Sequence, residues 1–190
     1  LTAGLAQDAL KLGINVVSGY GMSETAPVLT VAHLSEPEKK LPIQEQILLR
    51  TKVGITAPVV TLKIRDESGH DLSHDGISMG EIVVHCPWLT QGYFKDSENG
   101  QALWKDGWLH TGDIGTISPT HYVTILDRAK DIIKTGGEWI CTLDIENIIS
   151  RIDGVKEVAV VGVPDQKWGE RPYALIVIKA ESKDRLDKSA

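Results

Sequence analysis

The sequence predicts a mixed α/β chain: an α/β layer, an antiparallel barrel-like β subdomain, and then a separate small α+β module. Three observations carry this. An apolar run at helical spacing leads directly into a short β-branched run over residues 3–18. Short β-type segments punctuated by turn residues fill 54–126. After Arg128 the pattern changes to one apolar-faced helix and two β-type runs.

Leu5, Ala9, Leu10 and Leu12 recur at roughly helical spacing, and Gly13 stands where a helix can stop. Residues 14–18 predict a buried strand that delivers the loop 19–24 at its carboxyl end, where α/β sheets bind ligands. The polar stretch 38–52, with Ile43, Ile47 and Leu48, predicts a short surface helix starting near Pro42. Strands follow at 59–65, 80–85, 116–118 and 122–126, separated by Asp66-Glu67-Ser68-Gly69 and Ser118-Pro119-Thr120. Residues 131–134 and the turn Thr135-Gly136-Gly137 then lead to a helix capped by Thr142, with Ile145, Ile148, Ile149 and Ile152 on one face. Strands at 157–163 and 173–179, joined by the loop 164–172, complete the module.

With 42% hydrophobic residues, the 190-residue chain has enough apolar content for one ordinary domain or two small ones. A net charge of -6 and dispersed lysines and arginines leave no basic footprint for nucleic acid. The two cysteines, Cys86 and Cys141, lack metal-ligand spacing, so reduced structural thiols and a cytoplasmic setting are expected. No apolar run reaches the ~18 residues of a spanning helix. Beginning at Leu1 without an initiator methionine, the chain reads as an excised piece.

Two segments point to chemistry. In Trp108-Leu109-His110-Thr111-Gly112-Asp113, Gly112 lets backbone approach a ligand closely, and the Asp113 carboxylate can accept from two neighbouring ribose hydroxyls. Arg128 carries a fixed fork of donors suited to phosphate or ribose oxygens. In Gly19-Tyr20-Gly21-Met22-Ser23-Glu24-Thr25, Glu24 is a hard carboxylate suited to Mg²⁺, and Ser23 offers a hydroxyl to the same phosphate. Each also has a plain reading: a solvated glutamate after a strand, a β-turn aspartate, a surface arginine. His110 is expected to orient its loop rather than act as a base, and the other histidines show no metal-ligand spacing. No nucleophile stands out among these residues.

Together these motifs resemble the AMP-forming acyl- and aryl-CoA synthetases, the adenylating superfamily that includes firefly-type luciferases and nonribosomal peptide adenylation domains. The resemblance runs from the first helix to about Lys179. It implies the end of a large adenylating domain over 1–127 and a mobile, truncated C-terminal domain over 128–190. It implies ATP and AMP as ligands, with Tyr20 against adenine, Gly21 and Met22 facing the acyl group, Ser23 on phosphate, Glu24 on Mg²⁺ and Asp113 gripping the ribose. Arg128 would meet phosphate or ribose, and Lys130 would be the hinge between adenylation and thioester formation. Gly136 and Gly137 would lie beside the phosphopantetheine arm of coenzyme A, and Glu138 would set that loop. The implied partners are a fatty or other carboxylic acid, ATP and CoA, with a homo-oligomeric parent left open.

Leu41 to Gly54 and Lys134-Thr135-Gly136-Gly137-Glu138-Trp139-Ile140 bring the match nearest the medium- and long-chain fatty-acid CoA ligases. The family's upstream phosphate loop and its C-terminal lysine are not in this sequence, so the chain alone is expected to be inactive. Two alternatives stand beside this reading: an adenylation domain that loads a carrier protein, and a non-catalytic nucleotide-binding module. Against the first, Lys130 occupies a hinge position where that group carries aspartate, and Ile132-Ile133-Lys134-Thr135-Gly136-Gly137 departs from its Lys-Ile-Arg-Gly type of sequence.

Overall fold

A computed structural model describes residues 1 and 3–182, and the C-terminal end of the expected 128–190 domain lies outside these. The chain forms two compact units that divide between Ile125 and Leu126. Among the described residues, strand pairing in both is predominantly antiparallel.

The first unit opens with helix α1 (Ala3–Lys11), which buries Ala6 and ends at Gly13, a residue in the left-handed region at φ 75°. The strand expected over 14–18 does not form. Strand β1 is only Gly19–Tyr20, pairing with β2 (Thr30–Val31), which pairs with β3 (Ile55–Thr56). The segment before β1 is instead tied down piecemeal: buried Arg50 donates through Nη1 to Asn15 Oδ1 at 2.7 Å and to the Val16 carbonyl at 3.0 Å, while the Ser18 amide donates to the Arg50 carbonyl at 3.2 Å and the Ser18 carbonyl accepts from the Ala32 amide at 2.8 Å. An apolar β-branched run is compatible with a ladder but forms none without a neighbouring strand. Arg50 comes from helix α2 (Ile43–Thr51), which starts after Pro42 as expected, the proline occupying a position where no helical N–H is needed.

The main sheet of this unit contains β4 (Thr61–Arg65), β5 (Gly80–His85), β6 (Trp104–Lys105), β7 (Trp108–Ile117) and the first half of β8 (Val123–Arg128), whose last three residues fall in the second unit. Its order is β4-β5-β7-β6, with β8 as a further partner of β7. The segment expected at 116–118 is the end of the ten-residue β7. Leu62 opposite Val84 and Ile64 opposite Ile82 send one face into a core with Leu29, Leu109, Ile117 and Val123. A short helix α3 (Ser97–Ala102), unforeseen in the sequence, is capped by Asp96, whose Oδ1 accepts from the Asn99 amide at 3.2 Å.

The second unit holds β9 (Ile133–Thr135), β10 (Glu138–Ile140), helix α4 (Thr142–Ile149), β11 (Val155–Asp165) and β12 (Gly169–Ile178), in the sheet order β10-β9-β12-β11. Gly136 and Gly137, at φ 58° and 87°, make the two-residue turn between β9 and β10, a backbone that few other residues adopt. Thr142 is the first helical residue, not the cap. Cys141 occupies the cap position without a side-chain bond. Buried Asp127 does the capping from a distance, accepting from the Thr142 amide and hydroxyl, each at 2.7 Å. The expected apolar face of α4 is only partly covered: Ile145 and Ile149 are half-buried, while Ile148 and Ile152 are exposed. Glu146 is the helix residue that reaches the sheet, its Oε1 accepting from the Val160 amide at 2.8 Å.

Both cysteines are free and buried, and burial, with help from Asp144 and Asp127, pushes the Cys141 thiol up to about 11. No helix among the described residues is long and apolar enough to cross a membrane.

Candidate functional site

The first unit's site is built on a bulge. Opposite Glu81 lies Ile114, yet opposite Val83 lies His110, so β7 carries extra residues where β5 runs regularly. The looped-out residues are Thr111, Gly112 and Asp113. Gly112 takes φ 70°, which a residue with a side chain adopts at a cost. The displaced backbone finds partners: Thr111 Oγ1 donates to the Ile82 carbonyl at 2.7 Å and accepts from the Asp113 amide at 3.1 Å. The Gly112 amide donates to Glu81 Oε1 at 3.1 Å, and His110 Nδ1 lies 2.7 Å from Glu81 Oε2. Since an ionised carboxylate only accepts, Nδ1 carries the proton in that pair. His110 thus shares the Glu81 carboxylate with the Gly112 amide beside the bulge. Its partner Glu81 carried no sequence signal beyond being a charge on a β-type run.

Asp113 is 5% exposed and meets Tyr20, whose hydroxyl donates to Oδ2 at 2.6 Å. The two motifs, far apart in sequence, are therefore one site. A carboxylate has about four lone-pair directions over its two oxygens, so this bond is compatible with acceptance from a ligand hydroxyl as well.

Beyond Tyr20, Ser23–Thr25 forms one turn of 3-10 helix around fully buried Thr25. The segment 88–93 holds this turn from outside. Trp88 Nε1 donates to the Thr25 carbonyl at 2.9 Å, the Thr90 amide to the Glu24 carbonyl at 2.9 Å, and the Tyr93 hydroxyl to Glu24 Oε1 at 2.5 Å. That last bond raises the Tyr93 pKa, because the neutral phenol is the donor. Among the described residues no three His, Cys, Asp or Glu side chains gather into a metal cluster. A half-buried lone carboxylate such as Glu24 suits an Mg²⁺ that takes its other oxygens from phosphate and water.

Gly21 serves this loop in a way that the sequence did not reveal. A Cβ there would lie 1.6 Å from the Pro27 carbonyl oxygen, so the loop closes on itself only without a side chain. Gly21→Ala is expected to destabilise the chain by about 1 to 3 kcal/mol through this overpacking. Urea unfolding measures it, and an unchanged midpoint would mean that the loop relaxes freely.

In the second unit, Arg128 ends β8 and its amide donates to Asp127 Oδ1 at 2.9 Å. Exposed Lys130 lies in the following turn, closed by the Asp131 amide on the Arg128 carbonyl at 2.9 Å. Gly136 and exposed Glu138 line an open cavity of about 460 Å³ with Thr135, Ile140, Trp168, Arg171 and Pro172. Trp168 forms its aromatic wall, with a Cβ on Gly136 falling 3.0 Å from the ring. The stretch Trp168-Gly169-Glu170-Arg171-Pro172, expected within the loop 164–172, mostly belongs to β12 and ties it to β9. The Gly136 amide donates to the Trp168 carbonyl at 2.9 Å, and the Lys134 amide to Glu170 Oε2 at 2.8 Å.

Comparison with known proteins adds two family matches: the AMP-binding enzyme family over residues 1–94 and the AMP-binding enzyme C-terminal domain over 144–190. The chain is 44% identical to a 3-methylmercaptopropionyl-CoA ligase of Ruegeria lacuscaerulensis, over 92% of this chain and 32% of the relative. It is 41% identical to a long-chain-fatty-acid–CoA ligase of Thermus thermophilus, over 90% of this chain and 32% of the relative. The chain thus spans about a third of the length of these relatives. Among solved structures it resembles ATP-bound MatB from Rhodopseudomonas palustris, with a TM-score of 0.76 and 31% identity over 100% of this chain and 35% of the other. It also resembles o-succinylbenzoate CoA synthetase from Bacillus subtilis in complex with an acyl-adenylate intermediate, with a TM-score of 0.75 and 28% identity over 98% of this chain and 38% of the other.

Proposed function

We propose, from the premise that this chain belongs to the AMP-binding, adenylate-forming enzymes, that the full-length protein is an ATP-dependent carboxylic acid–CoA ligase. The carboxylate of the acid attacks the α-phosphorus of ATP, giving acyl-AMP and releasing pyrophosphate. The CoA thiol then attacks the acyl carbon, and AMP leaves. A fatty acid is the proposed acid, and the cytoplasm the proposed setting.

The observation that carries this reading is the Tyr20–Asp113 bond, which joins the glycine-bearing loop to the bulged Thr-Gly-Asp segment. Asp113 accepts from the ribose hydroxyls, and Tyr20, fixed by its hydroxyl, lies along the adenine. Ser23 donates to phosphate, with Gly21 and Met22 toward the acyl group. Glu24 holds Mg²⁺, which when bound offsets charge on the phosphates. Arg128 supplies a guanidinium to phosphate or ribose. Gly136 and Gly137, small beside the Trp168 wall, leave room for the pantetheine arm, and Glu138 sets their loop. Lys130 is the hinge residue. Positioning and electrostatics do the work, consistent with a site that offers no covalent nucleophile.

The test is pyrophosphate release and CoA-thiol consumption by the full-length protein over a panel of carboxylic acids. Acid-dependent pyrophosphate release followed by thioester formation is expected, and ATP cleavage indifferent to acid and CoA would overturn the reading. The 190-residue chain, assayed alongside, is expected to be inactive because two of the family's cationic elements for phosphate are not among its residues, and one preorganised group of that kind is commonly worth ~2.7 to 4 kcal/mol.

A further inference from the structure

We infer that Glu81 is a positioning residue for the nucleotide site: through Gly112 and His110 it holds the β7 bulge in shape and thereby sets the direction of Asp113. The inference rests on the ribose role proposed for Asp113. A bulge removes residues from the ladder and leaves their amides to find other acceptors. For Gly112 that acceptor is a carboxylate, and a charge-assisted bond is stronger than the carbonyl bond it replaces.

Glu81 is well placed to act as a fixed post. Its neighbours on β5, Ile82 and Val83, are both fully buried, so its backbone is anchored in the core. The same stretch of β5 grips the bulge twice, since Thr111 Oγ1 donates to the Ile82 carbonyl. The other carboxylate oxygen receives His110 Nδ1, which fixes the plane of the carboxylate. Buried His110 Nε2 has no hydrogen-bond partner among the described residues, so among them the Glu81 bond is what orients the imidazole. Asp113 follows Gly112 directly, and a turn about the φ of Gly112 would swing its carboxylate away from Tyr20.

This arrangement makes a chemical distinction between two substitutions. Glu81→Ala leaves the Gly112 amide and the His110 Nδ1 proton without their acceptor. Glu81→Gln keeps an oxygen for the Gly112 amide, and its NH₂ can donate to Nδ1 if the imidazole proton moves to Nε2. A glutamine therefore preserves the bulge, while an alanine releases it.

The experiment measures AMP affinity by calorimetry for the full-length enzyme and its Glu81→Ala, Glu81→Gln, Asp113→Ala and Glu81→Ala/Asp113→Ala variants, with the Gly112 amide shift by NMR as a second readout. Glu81→Ala is expected to weaken AMP about tenfold or more and to move the Gly112 resonance upfield. Glu81→Gln should stay within a few-fold of the parent, and Glu81→Ala should add nothing once Asp113 is alanine. Wild-type affinity in Glu81→Ala, with Asp113→Ala weakened, overturns the inference and leaves the ribose role standing. An equal loss from Glu81→Ala in both backgrounds also overturns it, since Glu81 would then act on the fold and not through Asp113. If Asp113→Ala itself binds AMP normally, the ribose role fails, and this inference with it.

Discussion

If Asp113 holds the ribose as proposed, Asp113→Ala in the full-length protein will weaken AMP and acyl-AMP together, by about a hundredfold or more, because each charge-assisted hydrogen bond to a ribose hydroxyl contributes roughly 1.5 to 3 kcal/mol. Both ligands carry the ribose, so both lose the same contacts. The substitution is a clean one. The amide of residue 113, which donates to Thr111 Oγ1, is untouched, and Thr111 and Glu81 still hold the bulge. What disappears is the carboxylate, and with it the acceptor of the Tyr20 hydroxyl. Calorimetric titration with AMP checks this, and an unchanged affinity would make Asp113 a turn residue only.

Lys130→Pro should separate the two half-reactions of the full-length enzyme. Proline fixes φ near -65°, and a hinge works by letting a few residues absorb a large φ/ψ change. If the enzyme rests in its adenylating arrangement, pyrophosphate release persists while acyl-CoA formation collapses. Lys130→Ala, which removes charge but leaves the backbone free, should impair both steps far less. The turn itself bears on the test: Lys130 is its third residue, where proline is disfavoured, so the fold must be monitored alongside. Retained pyrophosphate release is itself that control. Equal loss of both steps would indicate a broken turn or a direct role in catalysis, and normal acyl-CoA formation would remove the hinge role.

Much of the chain's organisation was legible from short-range rules. Strand β5 occupies the expected 80–85, helix α2 starts at Pro42, and the adjacent glycines 136 and 137 turn a hairpin. These depend on alternation, on a ring that lacks an N–H, and on backbone angles that glycine adopts easily. The family was legible too, because its motifs are contiguous runs.

What only the tertiary structure decided is which distant groups meet. Residues 14–18 have the composition of a strand but no ladder, since a strand exists through its neighbour, and here the Arg50 side chain takes the Val16 carbonyl while Ser18 bonds to the backbone of Arg50 and Ala32. Thr142 has the chemistry of a helix cap, yet Asp127, brought up by β8, supplies the oxygen. Tyr20 with Asp113, and Glu81 with Gly112, are pairs joined by sheet register and by a bulge that no periodicity announces. Periodicity and turn chemistry act over a few residues, whereas hydrogen bonds between remote side chains are set by how the whole sheet aligns. The sequence by itself therefore determined most of the regular elements and the family, and the packed fold determined which carboxylate caps a helix and which one holds a bulge.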